Sequence, residues 1–228
     1  MAFVQFLQKM SFFEDLEEEK ALFLARATRL EFRKGDLLFS RGAAVTSCYY
    51  VEKGLIKIYD VTESGKEPIF FLRRTGEMFG LAEIFSGEER RTNAQALVPS
   101  IVYAMDKTAF RDLLQQHFSI AERVINVLGG RLRYLGDHIC GLTTMTVRER
   151  LLRLLLFLFY DNLPREKEDR DVPVRVRLPV SQEQMAAMIG STQPTVSSTL
   201  QQLQGEGLLT LVRGNIEIPS VQRLVDKI

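Results

Sequence analysis

Residues 181–200 read SQEQMAAMIGSTQPTVSSTL, and their punctuation decides the fold of the last third of the chain. Ser181 is placed to cap a helix, with Glu183 and Gln184 in its first turn, and that helix should run through Met188 to Gly190, where the chain must turn. Thr192 caps a second helix at once, with Pro194 in the first turn, where its missing N–H is tolerated. This second helix should pass through Gln204 and stop near Gly205 and Gly207. Met185, Ile189, Val196 and Leu200 fall where two crossed helices must touch, and small Ala186 permits a close approach, which is helix-turn-helix spacing. The second helix then offers Thr192, Gln193, Pro194, Thr195, Ser197, Ser198 and Gln201 around its N-terminal half. Most of these are short polar side chains suited to base edges and phosphates in a major groove.

Downstream, Leu208 to Val212 and Ile216 to Ile218 flank Arg213, Gly214 and Asn215, a hairpin that makes the unit winged and puts Arg213 in reach of a phosphate. No Lys or Arg occurs from Ser181 to Gln204, so the helix N-terminus, Arg213, Arg175 and Arg177 must supply the backbone contacts. Upstream, Val174 to Leu178 alternates as a short strand, Pro164 to Pro173 reads as a charged surface loop, and Val147 to Tyr160 reads as a helix. Thr143 to Thr146 is a run of poor helix formers, where a hinge is expected.

From about Ser119 to Leu142, the residues Val124, Leu128, Leu132, Leu135, Ile139 and Leu142 recur at steps of three and four. Such a narrow apolar seam suits a partner helix better than a broad core. Gly129, Gly130 and Gly136 each cost this helix about 1 kcal/mol relative to Ala, so close helix approach or a bound ligand must compensate. Further upstream, residues 32–105 are short Val-, Ile-, Phe- and Tyr-rich runs cut by glycines, the pattern of an antiparallel sandwich or jelly roll. Lys57 to Tyr59 with Glu63, Ser64 and Gly65 reads as one hairpin, Ile101 to Met105 as the last strand, and Asp106 to Leu114 as a helix. Phe12 to Leu30 carries a helical lead-in.

The chain has 228 residues, with 30 Lys and Arg against 29 Asp and Glu, so bulk charge announces neither a nucleic-acid nor a membrane partner. Cys48 and Cys140 are too few for a disulfide scaffold or a four-thiolate iron–sulfur cluster, and they fit a reducing compartment. The N-terminus lacks the pattern of a signal peptide, and the apolar run Leu151–Tyr160 is too short to span a bilayer, so a cytoplasmic location is expected with no membrane partner. With His117 and His138 far apart and no nucleophile–base–orienter set, no enzyme activity is expected.

Together these segments resemble the cyclic AMP receptor protein and fumarate–nitrate reduction regulator family of bacterial transcription factors. The residues carrying the likeness are Lys34, Gly35 and Asp36 with Phe39 and Gly42, then Val51, Gly54 and Lys57, then Gly76, Glu77, Phe79 and Gly80, and finally Leu178 to Leu200. The resemblance implies an α+β fold: an N-terminal antiparallel β-roll like a cyclic-nucleotide-binding domain, a long dimerisation helix, and a C-terminal winged helix-turn-helix. The corresponding divisions are 1–118, 119–142 and 143–228. It implies a homodimer on a palindromic operator, RNA polymerase as a further partner, and an effector at the β-roll and long-helix interface. The alternative is a cyclic-nucleotide-binding regulatory module that acts through protein contacts.

For the effector site the resemblance implies Gly80, Leu81, Glu83, Arg91, Thr92, Arg131 and Leu135. Arg91 and Thr92 match the pair that holds a cyclic phosphate, a charge-assisted arrangement. Where relatives follow the glycine with a ribose-binding Glu, this chain has Leu81, with Glu83 two residues on, and Leu135 and Gly136 stand where relatives offer polar side chains to adenine. The alternative for Arg91 and Thr92 is a solvated turn after Glu88 and Glu89. The effector thus stays open: a cyclic nucleotide is a candidate, a haem on His117, His138 or Cys48 is disfavoured, and an iron–sulfur cluster is not expected. Cys140, near the seam, reads as a buried inert thiol more readily than as a sensor. Where relatives carry Arg and Glu, this chain has Gln193 and Pro194, and Ser198 replaces a later Arg, so its operator should differ from the familiar one.

Overall fold

A computed structural model describes residues 11–159, 173–212 and 215–227. The chain divides into two compact units, one running to Leu135 and the other from Gly136. The expected Pro164–Pro173 loop lies almost wholly outside the described residues, as do Tyr160, Arg213 and Gly214.

The first unit opens with α1 (Glu17–Arg26), whose three glutamates in the first turn and Arg26 in the last suit the helix dipole. Eight strands follow: β1 (Thr28–Phe32), β2 (Leu37–Phe39), β3 (Ser47–Lys53), β4 (Leu55–Tyr59), β5 (Ile69–Arg74), β6 (Met78–Phe79), β7 (Asn93–Ala96) and β8 (Ser100–Asp106). A one-turn helix, α2 (Ala82–Ser86), sits between β6 and β7. The strands form two four-stranded antiparallel sheets, ordered β1-β8-β3-β6 and β2-β7-β4-β5. The expected hairpin is β4–β5, and the expected last strand is β8.

Strand β3 shows why the two layers hold. Successive side chains of a strand point to opposite faces. Tyr49 and Val51 join Ile56, Ile58, Phe79, Ala94, Ala96 and Val102 between the sheets, whereas Cys48 and Tyr50 join Phe13, Phe23, Phe110 and Leu113 beneath the helices. Both faces are therefore buried, and the run CYYV is apolar without alternation. Asp106 caps α3 (Lys107–Gln116) by accepting from the Thr108 and Ala109 amides, which ends the sheet where the sequence places its end.

Helix α4 runs Phe118–Thr144, and Thr146 begins α5 (Val147–Phe159) through reciprocal bonds with Glu149, so the chain leaves helix at Met145–Thr146, within the run where a hinge is expected. The second unit continues with β9 (Val174–Arg177), α6 (Gln182–Ile189), α7 (Gln193–Gly205), β10 (Thr210–Val212), β11 (Asn215–Ile218) and α8 (Val221–Val225). Its sheet is antiparallel in the order β10-β11-β9. The heptad drift of α4 corrects one expectation. Val124 is buried in the first unit's own core beside Ile120, so it leaves the seam. Phe118, Ile125, Leu132 and Ile139, each seven residues from the next, are instead 74%, 65%, 72% and 62% exposed, and Leu142 is also open. No helix among the described residues is long and apolar enough to cross a membrane.

Candidate DNA-binding and effector sites

The turn between α6 and α7 is built from local chemistry. Ser181 accepts from the Gln184 amide while the Gln184 side chain accepts from the Ser181 amide, a complete capping box. Gly190 ends α6 in the left-handed region at φ +62°, and its amide and that of Ser191 donate to the Ala186 carbonyl. Thr192 caps α7 by accepting from the Thr195 amide, and the two threonine hydroxyls lie 2.8 Å apart. Met185, Ile189, Val196 and Leu200 are buried together with Ala186 and Leu203, the apolar contact that the crossing of α6 and α7 requires.

Outward from this contact, Thr192, Gln193, Pro194, Thr195, Ser198 and Gln201 are exposed and Ser197 is half-buried. The first turn of α7 thus offers backbone N–H groups and neutral side chains on one open surface. Of the expected phosphate-facing cations, Arg175 is ion-paired with Glu217 across β9–β11 at 3.3 Å, Arg177 is exposed, and Arg213 lies outside the described residues.

Sequence reasoning missed the clamp behind this turn. Arg150 of α5 donates through Nε to the Ile189 carbonyl at 2.8 Å and through Nη1 to the Met145 carbonyl at 2.7 Å, with the Gly190 carbonyl 3.5 Å from Nη2. One guanidinium satisfies carbonyls at the end of α6 and at the break between α4 and α5, which no local spacing reveals. Leu142 also reaches the turn: a Cβ on Gly190 would lie 2.8 Å from Leu142 Cδ2. Arg148 and Glu206 add a two-pronged pair, each bond 2.7 Å, and the Arg148 guanidinium holds the Glu206 carboxyl below the usual range.

The expected effector residues are placed differently. Arg91 is 74% exposed in its side chain, is bound to Glu88 at 2.7 Å, and lines an open surface pocket with Arg41, Gly42, Glu88, Glu89 and Arg90. Its neighbour Arg90 is the buried one, donating to the carbonyls of Gly80 and Ser47 and to Glu83 Oε2 at 3.3 Å, with Phe39 beneath its guanidinium at 4.4 Å. Glu83 and the Gly80 carbonyl are thereby engaged within the protein. Leu81 is buried in the helix-side core. Thr92 is half-buried, Leu135 is half-buried, and Arg131 donates to the Met78 carbonyl. The signal that separates Arg90 from Arg91 is absent from the sequence, since both follow two glutamates in the same turn.

Of the two thiols, Cys140 departs from its expected burial. Cys48 is fully buried and burial pushes its thiol well above the ordinary range, whereas Cys140 is exposed rather than buried. Among the described residues no group of three or more His, Cys, Asp or Glu could hold a metal ion.

Residues 29–117 match the family model for a cyclic nucleotide-binding domain, and residues 149–227 match that for a Crp-like helix-turn-helix domain. The chain belongs to the cyclic AMP receptor protein and fumarate–nitrate reduction regulator family. Within it, the chain is 24% identical over 221 residues to a CRP-like cAMP-activated global transcriptional regulator of Mycobacterium tuberculosis, covering 96% of this chain and 97% of that protein. It is 29% identical over 180 residues to the fumarate and nitrate reduction regulatory protein of Escherichia coli, covering 78% and 70%. The fold is that of FixK2 from Bradyrhizobium japonicum, with a TM-score of 0.76 at 24% identity, covering 88% of this chain and 96% of that one. Named members of the family are transcription regulators, and this chain is a regulator of that type with a helix-turn-helix DNA-binding domain.

Proposed function

We propose that this family member acts as a homodimer that recognises a two-fold symmetric operator in the cytoplasm, under the control of an effector at its N-terminal domain, with RNA polymerase as a further partner. The observation that carries the DNA reading is the open N-terminal half of α7, where Gln193, Thr195, Ser198 and Gln201 stand free of ion pairs on a capped, Arg150-clamped turn. Major-groove specificity comes from such side chains at base edges, while phosphate contacts set position. Dimerisation is supported by the seven-residue repeat of exposed apolar side chains along α4, a stripe that costs free energy if left in water. A closed two-fold dimer would set two α7 helices against two half-sites one helical turn apart.

The test is an electrophoretic shift on palindromic promoter fragments across a salt series. Sequence-dependent binding that weakens steeply with salt supports the reading, and equal affinity for all duplexes contradicts it.

A further inference from the structure

The charged groups around α7 are engaged inside the second unit, and this decides which base edges the helix can read. Arg148 and Glu206 hold each other through two bonds of 2.7 Å, which occupies the cation of α5 and the carboxylate just past α7. Arg150 is committed to the Ile189 and Met145 carbonyls, and Arg175 to Glu217. Arg177 is exposed, but on β9 of the three-stranded sheet rather than on α7. From Gln193 to Gln204 the helix itself has no Lys, Arg, Asp or Glu. Some of its polar groups are also taken: Thr199 donates to the Thr195 carbonyl at 2.7 Å, and Gln204 accepts from the Leu211 amide at 3.1 Å. The Thr195 hydroxyl lies 2.8 Å from that of Thr192, so its γ-methyl is the group left for a further contact. The side-chain amides of Gln193, Gln201 and Gln202 and the hydroxyl of Ser198 remain, all on exposed residues.

In a major groove, guanine presents the acceptors O6 and N7, best met by a free guanidinium or ammonium, and cytosine presents an N4 donor, best met by a free carboxylate. Helix α7 has neither to offer. An amide instead donates to adenine N7 while accepting from adenine N6–H, and a threonine methyl packs against the thymine methyl. We propose that α7 reads A·T pairs: Gln193 and Gln201 each take the edge of an adenine, and the Thr195 methyl meets a thymine. Guanine at the same place sets two acceptors against one donor and one acceptor, so an acceptor faces an acceptor whichever way the amide turns, which is costly. Eight residues of helix separate the two glutamines by about 12 Å, or three to four base pairs. The inference rests on the DNA reading above and names the chemistry of the half-site that reading requires.

The experiment selects duplexes from a random pool with the full chain, then measures affinities by anisotropy on the selected operator with single atoms removed from both half-sites. An adenine is expected in each half-site whose preference is lost with Gln193→Ala and turns to guanine with Gln193→Arg. Replacing that adenine by 7-deazaadenine, which lacks the N7 acceptor, should weaken binding of the unsubstituted chain roughly tenfold and leave that of Gln193→Ala unchanged. Replacing the contacted thymine by uracil, which lacks only the methyl, should cost about fourfold, and nothing once Thr195→Ser has removed the facing methyl. Because the atoms are taken from the DNA, the unsubstituted chain alone keeps the test decisive if a variant fails to fold. Guanine or cytosine at the position that Gln193→Ala alters, or full affinity for the 7-deazaadenine duplex, would overturn the proposal and leave the regulator reading standing. Enrichment of no sequence would overturn both.

Discussion

Each domain has a left-handed glycine turn covered by a side chain from elsewhere, and the two covers have opposite chemistry. Over Gly80, at φ +72°, lies the charged Arg90, whose Nη1 would be 3.0 Å from an added Cβ. Over Gly190, at φ +62°, lies the apolar Leu142, 2.8 Å from such a Cβ. At Gly80 the polar groups of the turn are drawn inward: Arg90 donates to the glycine carbonyl and to Glu83. At Gly190 the cover is greasy and the polar groups past the turn, Gln193 and Thr195, stay outside. Two left-handed glycine turns can therefore have their neighbouring polar groups committed to internal bonds in one place and left open in another.

Helix α4, which continues from the first unit into the second, gives the largest expected effect. Leu132→Glu should turn a two-chain species into one sedimenting at 26.1 kDa and abolish tight operator binding, because it sets a charge against its own copy on an apolar seam. Unchanged mass in ultracentrifugation would remove the seam. Next, Arg90→Met should cost about 3 kcal/mol in urea unfolding, since it strands the half-enclosed Glu83 and two carbonyls, whereas Arg91→Met should stay within about 0.5 kcal/mol. Equal effects from the two neighbours would erase the contrast drawn at Gly80.

A smaller effect tests the other turn. Gly190→Ala should cost about 1–2 kcal/mol from the left-handed backbone and the Leu142 contact. Adding Leu142→Ala should make the pair less damaging than the sum of the two, and strict additivity would place Leu142 elsewhere. The smallest effect is chemical: one thiol per native chain, Cys140, should react promptly with a maleimide, and Cys48 should react only on unfolding. Mass spectrometry of the labelled peptide decides between them.

The C-terminal fold was legible because its signals are local. Ser181, Thr192, Pro194 and Gly190 act within three or four residues of themselves, and a cap or a left-handed turn has few alternatives. The seam was only partly legible, since the first turns of α4 carry two apolar faces. Stepping back by four from Leu128 reaches Val124 in the core, while stepping back by seven from Leu132 reaches Ile125 and Phe118 in the open. Arg150 and Arg90 were illegible because their partners, backbone carbonyls up to 43 residues away, leave no mark in the side-chain pattern. The burial of Arg90 rather than Arg91 was equally illegible, for the choice of which adjacent arginine turns inward is made by Phe39, Tyr49 and Ser47 on other strands.

The central claim is that an uncharged helix face reads the operator. It is tested most directly by selecting duplexes from a random pool with the intact protein, then comparing the anisotropy-measured affinities of the selected and scrambled fragments for the unsubstituted chain and Gln193→Ala. The account predicts a two-fold symmetric consensus whose preferred bases change with Gln193→Ala. Enrichment of no sequence, or an identical preference after the substitution of Gln193, Thr195 and Ser198 together, would contradict it.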